Sequence, residues 1–192
     1  MLRNGDVAEL PGLRFVVTLA PANPAEDSLE MEITVEAGAL GAPPHYHPMM
    51  EEEYRVLKGT LNVLIGDRWK DFGSGESAVI PARSNHTFRN TSKEPVLMLN
   101  VHRPARYILA FFDKAKELAR AGKLKSMKDP LTIVRMSTLF MEPGSGSVPT
   151  GFLGRVVMPV AAWFGRRLGV NQTASEMVVG AGQESRKSGP GA

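Results

Sequence analysis

The chain has 192 residues, enough for one domain with an appendage and for a sizeable hydrophobic core. Its 43% hydrophobic and 22% charged content is that of a soluble globular protein, and with no cysteine it can form neither disulfides nor thiolate sites, so any metal must be held by nitrogen and oxygen. The formal net charge of +3 hides a division: residues 1–103 carry 10 Lys and Arg against 14 Asp and Glu, and residues 104–192 carry 13 against 6.

The opening residues, MLRNGDVAELPGLRF, hold no apolar run of signal-peptide length, and no stretch reaches the roughly 18 uncharged apolar residues of a membrane span, so a cytoplasmic location is expected. The basic second part has no series of base-stacking aromatics and no recognised module, which argues against nucleic acid as a partner.

In chain order, short alternating runs recur at about 13–19, 29–36, 53–58, 60–66, 76–80, 86–90 and 95–103, punctuated by Gly, Pro or Asp. Met31, Ile33 and Val35 share one strand face with Glu30, Glu32 and Glu36 opposite; Leu61, Val63 and Ile65, and then Leu97, Leu99 and Val101, repeat the pattern. Many short strands with frequent turns predict an all-β sandwich or barrel over residues 1–103. Past Pro104 the period changes to that of a helix: Ile108, Phe111, Phe112, Ala115 and Leu118 share a face, with Asp113, Lys114, Lys116, Glu117 and Arg120 largely opposite and Gly122 as the stop. Asp129-Pro130 reads as an N-cap followed by Pro at the first helical position, although LTIVRMSTLFM beyond it is rich enough in β-branched residues to suit helix or strand. A third apolar segment, Phe152 to Phe164, ends in Gly165-Arg166-Arg167. Residues 104–170 are thus expected to be a mostly helical extension of the same unit, and 171–192, largely Gly, Ser and charge, a disordered tail.

Three of the four histidines and one carboxylate fall in two turn-framed stretches, GAPPHYHPMMEEEYRVLKG (41–59) and GESAVIPARSNHTFRN (75–90). His45 and His47 are two apart, which puts them on one face of an extended strand. Glu52 follows, with Tyr54 and Val56 at the same parity, and His86 shares parity with Phe88 and Asn90 on another strand. A barrel would bring the two strands together inside. Three neutral imidazoles and a carboxylate suit one divalent transition metal (Fe, Mn, Ni, Co or Zn), with two positions open on a six-coordinate ion.

The two stretches resemble the two motifs of the cupin superfamily. The first family motif, G-x5-H-x-H-x(3–4)-E-x6-G, is met from His45 onward by His45, His47, Glu52 and Gly59; its leading glycine falls on Ala39, between Gly38 and Gly41. The second, G-x5-P-x-G-x2-H-x3-N, is met by Gly75, Pro81, His86 and Asn90, with Arg83 where the family has glycine. The resemblance covers about residues 13–103 and implies a double-stranded β-helix, the jelly-roll barrel, with His45, His47, Glu52 and His86 as metal ligands. It leaves the reaction open, because the superfamily includes dioxygenases, isomerases, lyases, cyclases, storage proteins and sensors.

Glu51 and Glu53 read as solvated rim charges. His102 is a candidate base beside the metal, although alternation makes Leu97, Leu99 and Val101 the core face and leaves His102 with Met98 and Asn100. Arg83 could meet a substrate carboxylate at the barrel mouth through its planar fork, the plainer alternative being a solvated rim arginine. Tyr54, Phe88 and Met98 would line the cavity; Tyr46 is a weaker candidate, since alternation turns it from His45. The basic helix 105–122 is expected to pack on the barrel, and Phe152–Phe164 to lie at a subunit interface, with peripheral membrane contact as the alternative for both. GSGSVPTGFLG lacks the lysine of a phosphate loop.

Three functions remain open on the sequence. The ligand set implies, through the resemblance, dioxygenase-like oxidation of a small organic molecule that chelates the metal, with Glu52 also available as a base. Isomerase, cyclase or lyase chemistry would use the metal as a Lewis acid and Glu52 or His102 as base. A binding module or sensor would pass the state of the barrel to the C-terminal segments. A homodimer is expected, since an isolated barrel has sheet edges to cover, and the basic extension could lie across the partner's acidic barrel.

Overall fold

The computed structural model describes residues 1–172, so residues 173–192 of the expected tail lie outside the described residues. In chain order they form β1 (Val7–Leu10), β2 (Leu13–Leu19), β3 (Leu29–Val35), β4 (His45–Tyr46), β5 (Glu51–Lys58), β6 (Thr60–Ile65), β7 (Arg68–Gly73), β8 (Ser77–Ile80), β9 (His86–Arg89), β10 (Val96–Arg103), α1 (Leu109–Arg120), α2 (Pro130–Phe140), β11 (Val148–Pro149) and α3 (Met158–Arg167). One 3-10 turn, Ala105–Tyr107, precedes α1, and a π-turn, Leu153–Val157, leads into α3.

The strands make two antiparallel sheets, one of six in the order β1-β2-β3-β10-β5-β8 and one of five in the order β11-β4-β9-β6-β7. This is the jelly-roll architecture that the motif resemblance implies, a double-stranded β-helix with a helical C-terminal extension. Alternation sets most of the interior: Leu29, Met31, Ile33 and Val35 of β3, Glu52, Tyr54 and Val56 of β5, and Leu61 and Val63 of β6 are buried. Each large apolar side chain so buried contributes about 1.5–3 kcal/mol.

The inner face of β10 is not the expected one. Met98, Asn100 and His102 are buried toward the barrel interior, while Leu97 and Leu99 are only half-buried. β10 lies between β3 and β5 in the larger sheet, and Val101 on its other face is buried as well. A strand partly covered on both faces carries apolar residues on both, so alternation no longer tells inside from outside.

The extension packs as expected along α1 and more tightly than expected at one charge. Phe111, Phe112, Ala115 and Leu118 are buried in the same hydrophobic cluster as the strands, and Phe112 meets Phe15 of β2 edge-on at 5.4 Å. Lys116, expected on the wet face, is buried, with Nζ 3.0 Å from both Asp6 and Asp113. Arg120 adds a second contact to Asp6 at 2.9 Å, tying α1 to the segment that opens β1. The segment that suited helix or strand is a helix: the Asp129 carboxylate accepts from the Thr132 N–H at 2.9 Å, and Pro130 opens α2. α3 lies against α2.

Candidate metal centre

Both sheets contribute to one cluster. In the smaller sheet β4 pairs with β9 so that His45 stands opposite His86, and in the larger β10 pairs with β5 so that His102 stands opposite Glu52. The pleat turns His45 and His47 to the same side, and both are buried with Glu52 and His86. The potential ligand atoms of His45, His47, Glu52 and His86 all lie within 4.8 Å of one another.

Each of the three imidazoles is held from behind by a backbone carbonyl. Nδ1 of His45 lies 2.8 Å from the Pro43 oxygen, Nδ1 of His47 2.8 Å from Gly146, and Nδ1 of His86 2.8 Å from Ser84. A carbonyl oxygen only accepts, so Nδ1 carries the hydrogen and the neutral ring presents a bare Nε2 to the centre. This is the arrangement that fixes ring orientation and tautomer in metal-binding histidines. Nε2 of His47 and of His86 then face Glu52 Oε2 at 3.0 and 2.8 Å. Lone pairs that close repel unless positive charge lies between them, so the cluster demands a cation or protons. Those four donors, all nitrogen and oxygen, fit a first-row divalent ion.

The electrostatics follow the same demand. Burial, then the proximity of His86 and His47, lowers the His45 pKa to about 3, so this ring is neutral at ordinary pH. Burial would also lower His86, but the hydrogen bond and charge of Glu52 outweigh it and raise that group. Burial would raise Glu52; His102, through its charge and hydrogen bond, together with His47 and His86, instead holds the carboxyl well below its usual range.

A second ring of polar groups orients Glu52. Nε2 of His102 lies 3.0 Å from Oε1, and Asn100 Nδ2 donates to the same oxygen at 2.8 Å. Tyr54 hydrogen-bonds to Glu52, and burial together with the carboxylate charge pushes its phenol well above the usual range, so it stays protonated. Burial lowers the His102 pKa against the pull of Glu52, and its Nδ1 is buried without a hydrogen-bond partner. Asn100 is a member of this ring that the sequence reading missed; its register opposite Tyr54, two residues from Glu52, is the signal that could have found it.

Over the cluster lies the C-terminal extension. Phe140 of α2 meets His45 edge-on at 5.2 Å, and Phe112 of α1 meets His102 at 5.4 Å. The segment after α2 supplies the Gly146 carbonyl to His47, and β11 then pairs with β4. Thr150 fastens it further, its hydroxyl 3.1 Å from the Pro44 oxygen and 2.6 Å from Asn85 Oδ1, which joins the two histidine-bearing stretches.

Residues 31–102 match the cupin domain family. They are a cupin domain. No curated protein matches the chain. Solved structures similar to it include KdgF from Halomonas sp. (20% identity over 53% of this chain and 89% of that one, TM-score 0.47). Others are the cupin domain of an XRE family transcriptional regulator from Enterobacter cloacae (22%, 48% and 96%, TM-score 0.42) and a cupin-superfamily sugar phosphate isomerase from Silicibacter pomeroyi (24%, 48% and 59%, TM-score 0.43).

The other candidates divide. Tyr54, Phe88 and Met98 are buried in the cupin interior, with Tyr54 and Phe88 edge to face at 5.3 Å. Tyr46 is half-buried, and the pleat turns it away from the histidines on either side, so it does not join the cluster. Arg83 is exposed; it adopts the positive φ, +66°, that the glycine of the family motif would take, with its N–H donating to the His47 oxygen at 2.7 Å. The displaced glycine of the first stretch resolves as a turn at Gly38, φ +73°. Glu51 and Glu53 are half-buried at the rim, Glu53 paired with Arg55 at 3.0 Å.

Proposed function

We propose that this cupin is a metal-dependent enzyme acting on a small organic molecule, with His45, His47, Glu52 and His86 holding one divalent transition metal. The observation that carries the reading is the set of three Nδ1-to-carbonyl contacts, which aim three Nε2 atoms and one carboxylate at a common point. When bound, such an ion supplies Lewis-acid polarisation and, for iron, manganese, nickel or cobalt, redox chemistry. Tyr54, Asn100 and His102 hold Glu52 in one orientation, while Phe112 and Phe140 exclude water and so strengthen every electrostatic contact inside.

Among the described residues the buried charged side chains, histidines aside, are Glu52 and Lys116, and Lys116 is paired with Asp6 and Asp113. A carboxylate or phosphate on the substrate would find no Lys or Arg partner in the interior, which supports a neutral molecule able to chelate through hydroxyl or carbonyl oxygens. A dry apolar enclosure favours oxidation by dioxygen, itself apolar, and dioxygenase-like chemistry is therefore the preferred reaction. Entry of the organic substrate requires the extension over the cluster to move.

The Glu52–His102 contact supports a second reading, a non-oxidative isomerase, cyclase or lyase in which this pair takes and returns a proton. Oxygen uptake with catechols and flavonols decides between the two. Consumption of dioxygen that depends on redox-active metal supports the first, whereas turnover of an enolisable hydroxy-carbonyl compound without oxygen uptake supports the second.

A further inference from the structure

The segment 151–168 is built in an unusual way. Its inner side is narrow: Gly154, Met158, Ala162 and Gly165 are buried. A Cβ at Gly165 would stand 2.0 Å from Thr138 Oγ1 of α2, so small residues let α3 lie close against that helix. Apart from Met158, the large apolar side chains point the other way. Phe152 is 75% exposed, Leu168 72%, Val160 54%, Phe164 53% and Trp163 48%. The same surface carries Arg155, Arg166 and Arg167, all exposed, with the Arg167 guanidinium 4.9 Å from the Trp163 ring centre. From residue 143 to residue 175 the sequence contains no Asp or Glu.

We infer that this surface docks on an anionic lipid bilayer, with the aromatic and aliphatic side chains in the interfacial layer and the arginines at the headgroup phosphates. The combination is that of an interfacial helix: an apolar face with tryptophan, cations that can snorkel, and no carboxylate to be repelled. None of the described helices is long and apolar enough to cross a membrane, so the segment lies on the surface. The charge also bears on the occupant. Two copies meeting through this face would bring six arginines together with no carboxylate on the face to pair them. Exposed apolar residues on the barrel stand singly among charges, as Trp69 does between Arg68 and Lys70, and offer this surface no matching patch.

Trp163 is a built-in reporter. In a W69F background it is the sole tryptophan, and its emission is expected to shift to the blue with vesicles of phosphatidylcholine containing about 30 mol% phosphatidylserine, with much weaker binding to pure phosphatidylcholine. Binding should weaken several-fold at about 0.5 M salt. The double variant Phe152→Ser/Phe164→Ser should lose at least tenfold in vesicle affinity while keeping its far-UV circular dichroism. Should that variant fail to fold, the W69F titration decides alone. No emission shift and no co-flotation with the anionic vesicles at low salt would overturn the inference. So would a dimer in solution that falls to monomer in the double variant, or vesicle binding that appears only when residues 173–192 are removed; these would assign the face to a second copy and to the chain's own C-terminus respectively.

Discussion

His102 and Glu52 stand directly opposite each other on β10 and β5, with His102 Nε2 3.0 Å from Glu52 Oε1. The same carboxylate turns its other oxygen to His47 and His86. Glu52 is therefore a shared post: one oxygen faces the imidazoles that converge on the centre, and the other is held by residues that do not. On this account His102 positions Glu52 and is not needed to retain the metal. His102→Ala is expected to keep close to full metal content, to cost the metal-stripped protein about 1.5–3 kcal/mol through the lost hydrogen bond to a charged group, and to lower turnover. Denaturant titration with parallel elemental analysis checks this. Loss of metal in step with stability would make His102 a ligand instead.

His45 gives the metal-stripped protein a defined pH dependence. Its folded pKa is about 3, against 6.5 for the unfolded ring. Below pH 6.5 the unfolded chain takes a proton that the folded one refuses, so this group's contribution falls as pH falls from about 6.5 toward 3. His86 acts in the opposite sense: its raised folded pKa gives stability that is complete below the unfolded value and lost as pH rises through the folded one. Comparing wild type with His45→Phe isolates the first effect. Urea midpoints measured between about pH 7 and pH 4 should fall less steeply in the variant.

Arg83 occupies a left-handed backbone conformation, φ +66°, in a turn whose N–H is bonded to the His47 oxygen. The conformation costs an L residue about 1–2 kcal/mol, offset in part by the greater freedom of glycine in the unfolded chain. Arg83→Gly is expected to raise stability by about 0.5–1 kcal/mol and to leave metal content unchanged, as read by the thermal midpoint and elemental analysis.

Gly146 supplies the extension's backbone carbonyl to His47, one of the four proposed ligands. A Cβ there would lie 2.0 Å from the Tyr107 oxygen, and the residue adopts φ +72°. Gly146→Ala must displace the segment and with it the carbonyl that orients His47. The expected result is a loss of about 2 kcal/mol or more in stability and roughly tenfold or more in metal affinity. A competitive chelator titration measures the second; unchanged affinity would show that His47 needs no support from the extension.

The central strands and the four-residue cluster were legible because β3, β5 and β6 are covered mainly on one side, so that burial follows parity along each. The fixed spacing of His45, His47 and Glu52 adds to that. β10 was misread for a physical reason: with Val101 buried outside and Met98 inside, hydrophobicity does not mark the inner face, and His102 was assigned to the wrong one. β4 and β11, two residues each, are too short to show a period. β7 escaped because Phe72 is its one buried residue. The packing of α1 on the barrel is legible in its apolar face, but the contact of Gly146 with His47 is not, because it acts through a carbonyl, a group every residue has. The contacts of Phe112 and Phe140 with the histidines, and the pairing of β11 with β4, show that the extension covers the site.

The metal content of the purified protein tests the central claim most directly. Elemental analysis of wild type, prepared without chelators and again after reconstitution with each candidate ion, should give close to one first-row transition metal per chain, falling to background in Glu52→Gln and His86→Ala. Wild-type protein that stays well below one equivalent after reconstitution, or variants that bind as much as wild type, would contradict the assignment of His45, His47, Glu52 and His86 as a metal centre.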